Sequence, residues 1–209
     1  MSQDARPGPG TLAAQPLVGP SSAEDWTGGW WRHARACPSP NFGPRPPGES
    51  VTLAVIHSIS LPPGEYGGGW VEQFFQNRLD ASAHPYFQSI ANLKVSAHFF
   101  VERDGSVIQF VSADDRAWHA GQSRHEGRDG CNDFSVGIEL EGLEGLTFEP
   151  AQYDALARLL ASLARAYPLS HLAGHEHIAP GRKADPGPGF DWARLRRLSQ
   201  GSRWRWPDA

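Results

Sequence analysis

The chain of 209 residues is long enough for one domain with some additional chain, and its 39% hydrophobic and 20% charged residues exclude global disorder. A formal net charge of −4 provides no cationic field that would attract a nucleic acid or an anionic membrane. The two cysteines, Cys37 and Cys131, are too few for a disulfide scaffold, and a single bridge between them stays open.

The amino-terminal residues 1–25 are rich in Pro, Gly, Ala and Ser and have no hydrophobic period, which predicts a flexible extension before one domain at residues 26–209. The first ten residues, MSQDARPGPG, have neither a basic n-region nor an apolar h-region, and no stretch approaches the ~20 apolar residues of a membrane span. We therefore expect a cytoplasmic protein. The prolines of residues 37–50 block helix and inner strand and predict an irregular arm.

The globular pattern begins with the apolar run VTLAVI, which predicts a buried strand with His57 at its end. The loop after it, rich in Gly and Pro, predicts a cleft wall, and residues 71–79 predict a short helix. Residues 96–111 contain two β-rich runs around Asp104 and Gly105, a strong hairpin signal.

The second half of the chain predicts two strands and two helices. Residues 135–140 predict a strand with Glu139 and Glu141 on one face. Leucines and tyrosines spaced by three and four predict a helix over residues 149–167, a short strand follows at residues 169–173, and Asp191 opens a last helix. This mixture predicts an α/β or α+β domain, with a central mixed sheet flanked by helices.

Three side chains, far apart in the sequence, are candidates for a metal site. His57 ends a buried strand, His175 follows another, and Asp185 lies in a segment that prolines stiffen. Two imidazoles and one carboxylate suit a catalytic zinc, because they leave a fourth position for water, whose pKa zinc lowers to about 7. The same residues equally fit a core histidine, a loop histidine and a turn-forming aspartate, and neither HExxH nor CxxC occurs.

Five segments then appear in a fixed order: IHSISLPPGEYGGGW, SAHFFVERDGSVIQFV, RAWHAG, CNDFSVGIELEG and GHEHIAPGRKADPGPGFDW. Together they resemble the zinc-dependent N-acetylmuramoyl-L-alanine amidases of the amidase-2 type over residues 26–195, and among these the cytoplasmic enzymes of cell-wall recycling. The resemblance implies the fold shared with phage amidases and peptidoglycan recognition proteins. It also implies hydrolysis of the amide between N-acetylmuramic acid, expected in its 1,6-anhydro form, and the L-alanine of the stem peptide.

The resemblance implies one zinc ion per chain, held by His57, His175 and Asp185. His177 lies two residues beyond His175 and is the alternative second ligand; the glycine before His175 favours His175. The partner implied is a muropeptide, and we expect a monomer without nucleic acid or membrane.

Catalytic roles follow from the same resemblance. Glu139 is expected to move a proton from the attacking water to the leaving amine, and Glu141 on the same face is its competitor. Lys183 is expected to stabilise the oxyanion of the tetrahedral intermediate. Cys131 is expected to be a small buried residue without a catalytic role, since no basic pair lies beside it.

The substrate contacts implied by the resemblance are Ser58, Lys94, Trp118, His119, Ala120 and Gly121. The backbone of the AWHAG segment is expected to pair with an extended peptide, while Trp118 fits a core position nearly as well. Lys94 stands where relatives often carry arginine, and it is expected to hold a free carboxylate of the stem. His98 is interpreted as a structural strand histidine.

Two other function classes fit parts of the sequence. The first is a module of the same fold that binds muropeptides without cutting them, and the presence of Glu139, Lys183 and the candidate ligands favours the enzyme over it. The second is a nucleic-acid patch formed by the carboxy-terminal arginines and tryptophans. A solvated helix face explains that short cluster better in an acidic chain.

Overall fold

The computed structural model describes residues 25–200 and 203–207. The extension predicted for residues 1–25 lies outside the described residues except for Asp25. The Asp25 side chain is buried, accepts a hydrogen bond from Arg165 and lies 3.1 Å from His33. Asp25 is thereby attached to the folded part of the chain.

Strands dominate the first two thirds of the described chain. In chain order they are β1 (Trp26–Thr27), β2 (Trp30–Trp31), β3 (Arg35–Ala36), β4 (Phe42–Pro44), β5 (Leu53–Ile59), β6 (Phe99–Val101), β7 (Val107–Gln109), β8 (Asp115–Ala117), β9 (Arg124–His125), β10 (Arg128–Asp129), β11 (Ser135–Glu141) and β12 (His171–Gly174). The helices are α1 (Trp70–Phe75), α2 (Phe87–Ile90), α3 (Pro150–Ala166), α4 (His175–Ile178) and α5 (Trp192–Leu198). None of these described helices has the length and apolar composition needed to cross a bilayer.

A central sheet of six strands has the order β12-β5-β11-β6-β7-β3. Strands β12, β5, β11 and β6 are parallel, β7 returns antiparallel to β6, and β3 runs parallel to β7. The predicted mixed sheet is therefore confirmed. Because β12, β5 and β11 run in the same direction, their carboxyl ends meet at one edge, where open α/β sheets place their ligands.

The main core fills the space between the sheet and α3. Alternate residues of β5 and β11 face α3, as a period of two requires. The cluster includes Ala54, Ile56, Val136, Ile138, Leu140, Leu156 and Leu160. Leu53 and Val55 point to the opposite face, where they pack with Cys131. His57 follows Val55 with the same spacing, so the sheet directs it away from α3.

The two helices predicted in the second half of the chain are confirmed, and each has an amino-terminal cap. Helix α3 begins with Pro150 after Glu149, whose backbone N–H donates to the Gln152 side chain at 2.9 Å in a capping box. Helix α5 follows Asp191, whose carboxylate accepts a hydrogen bond from the backbone N–H of Arg194 at 2.8 Å.

The hairpin prediction is also confirmed, since β6 and β7 pair antiparallel and Gly105 in their turn has a φ of 86°. Strand β5 is shifted toward the carboxyl terminus relative to the prediction, since it begins at Leu53 rather than at Val51. It continues to Ile59, and His57 therefore lies two residues inside the strand. Parallel pairing with β11 extends to the pair of Glu141 and Ile59 and stabilises the additional residues.

The arm predicted to be irregular contains one short strand, β4, so that prediction is partly wrong. Strand β4 forms a two-stranded ribbon with β8, and β3, just before the arm, joins the edge of the central sheet. Prolines are tolerated at such edges, and the pairing depends on distant strands that local composition does not reveal. Helix α1 is shorter than the predicted residues 71–79, and the four residues of α2 are too few to show a helical period.

Candidate active site

The site begins with two neighbouring strand residues on the face opposite α3. His57 on β5 and Glu139 on β11 are register partners in the parallel pair. Side chains of paired residues on one face stand next to each other. His57 is buried and Glu139 is half-buried, so the two meet at the boundary between the core and the cleft.

His175 and Asp185 complete a cluster with His57. Strand β12 ends at Gly174, and His175 is the first residue of α4, at the edge where β5 also ends. Asp185 lies on the following loop and is buried. The Nδ1 atoms of the two histidines are 3.0 Å apart, and Asp185 Oδ2 lies 3.0 Å from His57 Nδ1 and 3.1 Å from His175 Nδ1. Three predicted ligands are thus brought together.

The cluster fits a tetrahedral zinc ion. Bonds of about 2.0–2.1 Å to a tetrahedral centre separate neighbouring ligand atoms by about 3.3 Å, close to the 3.0–3.1 Å observed. The donor set of two imidazoles and one carboxylate is that of open, catalytic zinc sites. The fit therefore rests on both the spacing and the chemistry of these side chains.

Hydrogen bonds behind His57 define which of its nitrogens carries the proton. The Ser135 hydroxyl donates to Cys131 O at 2.5 Å, so its oxygen accepts from His119 Nε2 at 3.1 Å. His119 Nδ1 is then an acceptor, and it receives the N–H of His57 Nε2 at 3.0 Å. The Nδ1 lone pair of His57 is left facing the cluster, as a metal ligand requires.

A second set of contacts does the same for His175. Its Nε2 lies 3.1 Å from Ala120 O, which also accepts from Arg182 at 2.7 Å. The carbonyl can only accept, so His175 Nε2 carries the proton and Nδ1 is free for a metal. His177 lies outside the cluster, because its Nδ1 accepts the backbone N–H of Gly174 at 2.8 Å.

The electrostatics of His57 and Asp185 favour the protonation states that bind a metal. Burial lowers the pKa of His57 to about 4, against an opposing contact with Asp185. Although burial raises it, the pKa of Asp185 is held well below its usual range by close contacts with His175 and His57. Neutral imidazoles and an ionised carboxylate are the forms that ligate a metal.

The cluster opens into a cleft of about 300 Å³. Glu139 and Lys183 line it beside the three clustered side chains, and apolar residues form its other wall, including Leu61, Phe74, Tyr86, Ile90, Leu93 and Trp118. Burial raises the pKa of Glu139 well above its usual value, the charge of Asp185 adds to this, and Lys183 opposes it. Within the described residues, Glu139 Oε2 and Ser58 Oγ are shielded from solvent and make no hydrogen bond.

The competing glutamate has a different position. Glu141 Oε1 accepts from the backbone N–H of Gly67 at 2.5 Å, and Oε2 accepts from that of Arg103 at 3.2 Å. These contacts connect the glycine-rich loop and the hairpin to β11. Glu141 therefore has a structural position, whereas Glu139 presents an unpartnered oxygen near the cluster.

The predicted substrate residues occupy three kinds of position. Ser58, Trp118 and His119 line the cleft. Ala120 is buried, and a methyl group added at Gly121 would lie 3.5 Å from the Arg182 side chain. Lys94 is exposed between two lining residues.

Sequence reasoning missed the residue that fixes the AWHAG backbone. Asn132 Oδ1 accepts the backbone N–H groups of His119 at 3.1 Å and of Ala120 at 2.8 Å. These two N–H groups are therefore already paired within the protein, and pairing of the segment's other backbone groups with a peptide stays a prediction. Asn132 belongs to the CNDFS segment, whose polar residues before a strand were the available signal. Ser135 in the same segment and Arg182 were missed in the same way.

His98 and the two cysteines have structural positions. His98 is buried; its Nδ1 accepts the N–H of Gly137 at 3.0 Å, and its Nε2 lies 3.1 Å from Asp115 O. Cys37 and Cys131 are both free and buried, so no bridge joins them. Burial raises the pKa of the Cys131 thiol, which keeps it protonated and unreactive.

Comparison with known proteins decides the family. The sequence profile of the Amidase_2 family, described as N-acetylmuramoyl-L-alanine amidase, matches residues 47–188. The chain belongs to this family. The assignment confirms that the protein is an amidase, an enzyme, as the sequence segments predict.

The amidase has similar relatives of known name and structure. It is 52% identical over 172 residues to the 1,6-anhydro-N-acetylmuramyl-L-alanine amidase AmpD of Citrobacter freundii. The aligned residues cover 81% of this chain and 92% of the relative. A crystal structure of a selenomethionine AmpD derivative gives a TM-score of 0.79 at 51% identity, covering 82% of this chain and 97% of the other. The amidase AmiD from E. coli, in complex with anhydro-N-acetylmuramic acid-L-Ala-D-γ-Glu-L-Lys, gives 0.54 at 29% identity, over 76% and 60% of the two chains.

Proposed function

We propose that this amidase uses zinc to hydrolyse the amide between 1,6-anhydro-N-acetylmuramic acid and the L-alanine of a stem peptide, in peptidoglycan recycling. One observation carries the proposal: three buried ligand atoms with lone pairs turned toward one point lie beside a glutamate and a lysine in a single cleft. The identity with AmpD over most of both chains and the substrate named in the AmiD complex support the sugar and the peptide.

Zinc would be held by His57, His175 and Asp185. Bound there, it would supply Lewis acidity for the scissile carbonyl and lower the pKa of water. The protein contributes the arrangement of the ligands. His119 and Ala120 accept the ring protons behind the two histidines, so both imidazoles keep a fixed orientation and an available lone pair.

Glu139 is the proposed proton carrier of the reaction. Its Oε2 has no partner among the described residues and lines the cleft next to the cluster. The carboxylate takes a proton from the attacking water as the new C–O bond forms. It then delivers this proton to the alanine nitrogen as the C–N bond breaks, so that a neutral amine leaves.

Lys183 is the proposed oxyanion partner. It lines the same cleft and lies on the loop between α4 and Asp185. An ammonium group in this position stabilises the negative charge that develops on the carbonyl oxygen in the transition state. Trp118 offers an indole face to the sugar or the stem, and Ser58 offers an unpaired hydroxyl.

Product analysis tests this function. A 1,6-anhydro-N-acetylmuramyl tripeptide is incubated with the protein in water labelled with ¹⁸O, and the products are examined by mass spectrometry. We expect free tripeptide and an anhydro sugar with one ¹⁸O in its lactyl carboxylate, and neither product from Glu139→Gln. Tight binding of the muropeptide without any cleavage by the wild type would instead show a recognition module.

The setting of the enzyme is a separate part of the proposal. We propose that it acts in the cytoplasm as a monomer. It needs neither nucleic acid nor membrane, because the acidic chain has no cationic field for either. Light scattering during gel filtration measures its mass in solution, and cell fractionation measures its location. A dimer, or activity in the periplasmic fraction, would contradict these assignments.

A further inference from the structure

A second group of possible ligands lies away from the active site. His171 occupies the amino end of β12, whereas His175 follows its carboxyl end. His125 and Glu126 of the β9–β10 hairpin meet His171 there, and one ligand atom from each lies within 4.8 Å of the others. We propose that His125, Glu126 and His171 form a second site for a divalent transition metal, with zinc as the probe ion.

Two imidazole nitrogens of this group are shielded from solvent. Among the described residues, neither His125 Nε2 nor His171 Nε2 makes a hydrogen bond of good geometry. The two rings are nearly perpendicular, at 78°, with centroids 5.3 Å apart. Glu126 Oε2 lies 3.1 Å from His171 Nε2 as an ion-pair contact. Buried nitrogens normally make hydrogen bonds, and a metal ion would bind both of these together with the carboxylate.

A hydroxyl contact holds the other nitrogen of His171. Ser170 Oγ lies 2.8 Å from His171 Nδ1 and 3.4 Å from Thr52 O, which already accepts the backbone N–H groups of Ser170 and His171. The shorter contact engages Nδ1 and orients the ring with Nε2 toward Glu126. An outer partner on the second nitrogen orients the histidines of zinc sites in the same way.

The β9–β10 hairpin can move and bring the three ligand atoms close enough to bind one ion. Glu126 and Gly127 form its two-residue turn, with φ of 46° and 82°. Tetrahedral zinc needs about 3.3 Å between ligand atoms, so no pair has to approach by more than about 1.5 Å. The turn is exposed, and its movement disturbs no core packing. The adjoining cavity of about 620 Å³ has room for a water as fourth ligand.

A salt bridge is the competing explanation for this cluster. Arg205 contacts the other oxygen of Glu126 at 3.3 Å, and its side chain is 73% exposed. If the cluster is only an ion-pair network, it binds no metal. Metal binding measurements separate the two cases directly.

The test counts zinc ions on the full-length chain by equilibrium dialysis against micromolar free Zn²⁺. We expect two ions on the wild type, and one on Glu126→Gln, on His171→Ala and on Asp185→Ala. The two distal variants keep wild-type amidase turnover, because they do not touch the cleft. Glu65→Gln, on an exposed loop, serves as the matched control and keeps both ions.

Each outcome decides the proposal. Loss of a ligand should weaken the binding of the second zinc by more than about 100-fold. That is more than the loss of a hydrogen-bond partner behind a ligand causes. The proposal is overturned if the wild type and both distal variants bind the same number of ions, whether one or two. Glu126→Gln on the exposed turn gives the answer even if His171→Ala does not fold. An empty catalytic cluster would lower the counts of the wild type and of both distal variants by one and keep the difference between them, so the two proposals fail independently.

Discussion

Replacement of Gly137 by alanine tests whether the contact between His119 and His57 sets the affinity of the catalytic metal site. Gly137 lies in the middle of β11, and its φ is not in the left-handed region, so alanine fits the backbone there. Its missing side chain makes room for the His119 ring. A Cβ at this position would lie 2.3 Å from His119 Cγ and 2.6 Å from Nδ1.

The geometry gives the size of the effect. Ordinary contacts to a Cβ begin at 3.4 Å, so the ring has to move by about 1 Å. The bond from His57 Nε2 to His119 Nδ1 is 3.0 Å long, and such a movement takes it to about 4 Å, beyond a hydrogen bond. Loss of an outer partner of this kind weakens metal binding by about 10- to 100-fold. The overpacking also destabilises the fold by about 1–3 kcal/mol.

Competition with a chromophoric chelator measures the zinc affinity, and urea unfolding measures the stability. Gly43→Ala is the matched control, because a Cβ at Gly43 meets no atom within 4 Å. We expect that control to behave like the wild type in both assays. Zinc affinity equal to the wild type in a destabilised Gly137→Ala would refute the role assigned to His119.

Three further changes test other parts of the account. Lys183→Ala should lower kcat by about 10²- to 10³-fold without changing zinc content, measured by steady-state turnover and metal analysis; an unchanged kcat would remove Lys183 from the mechanism. Leu160→Ala should cost about 2–5 kcal/mol of unfolding free energy in the core under α3, with normal activity per folded molecule. The pKa of Asp25 is lowered in the folded protein, chiefly by its hydrogen bond with His33. Ionised Asp25 therefore stabilises the fold fully at a pH above its pKa in the unfolded chain, and this stabilisation is lost as the pH falls through its pKa in the folded protein. Asp25→Asn should therefore be less stable than the wild type in urea at pH 7, and the difference should shrink as the pH falls below the usual pKa of an aspartate; a constant difference would contradict this.

Local patterns in the sequence predict the elements that place the site. The apolar run before His57 predicts a buried strand, and alternation along β11 places Glu139 on the face away from α3. Neither pattern predicts that His57 and Glu139 are partners, because the register of parallel strands depends on contacts between distant parts of the chain. That pairing had to come from the structure.

The choice between His175 and His177 shows the same limit. Residues two positions apart in a helix point about 200° away from each other, so only one of them can face the cluster. Which one does so depends on how α4 is placed by Gly174 and β12. The supporting residues His119, Asn132 and Ser135 act through single hydrogen bonds between distant segments, which no periodicity predicts.

Titration of the metal-free amidase with Zn²⁺, with release of tripeptide from an anhydro-muropeptide as the readout, tests the central claim most directly. The account predicts that the wild type is inactive after chelation and regains turnover as zinc is added. Asp185→Ala should release no tripeptide at any zinc concentration while still folding cooperatively. Full turnover by the chelated wild type, or by the folded Asp185→Ala, would contradict the account.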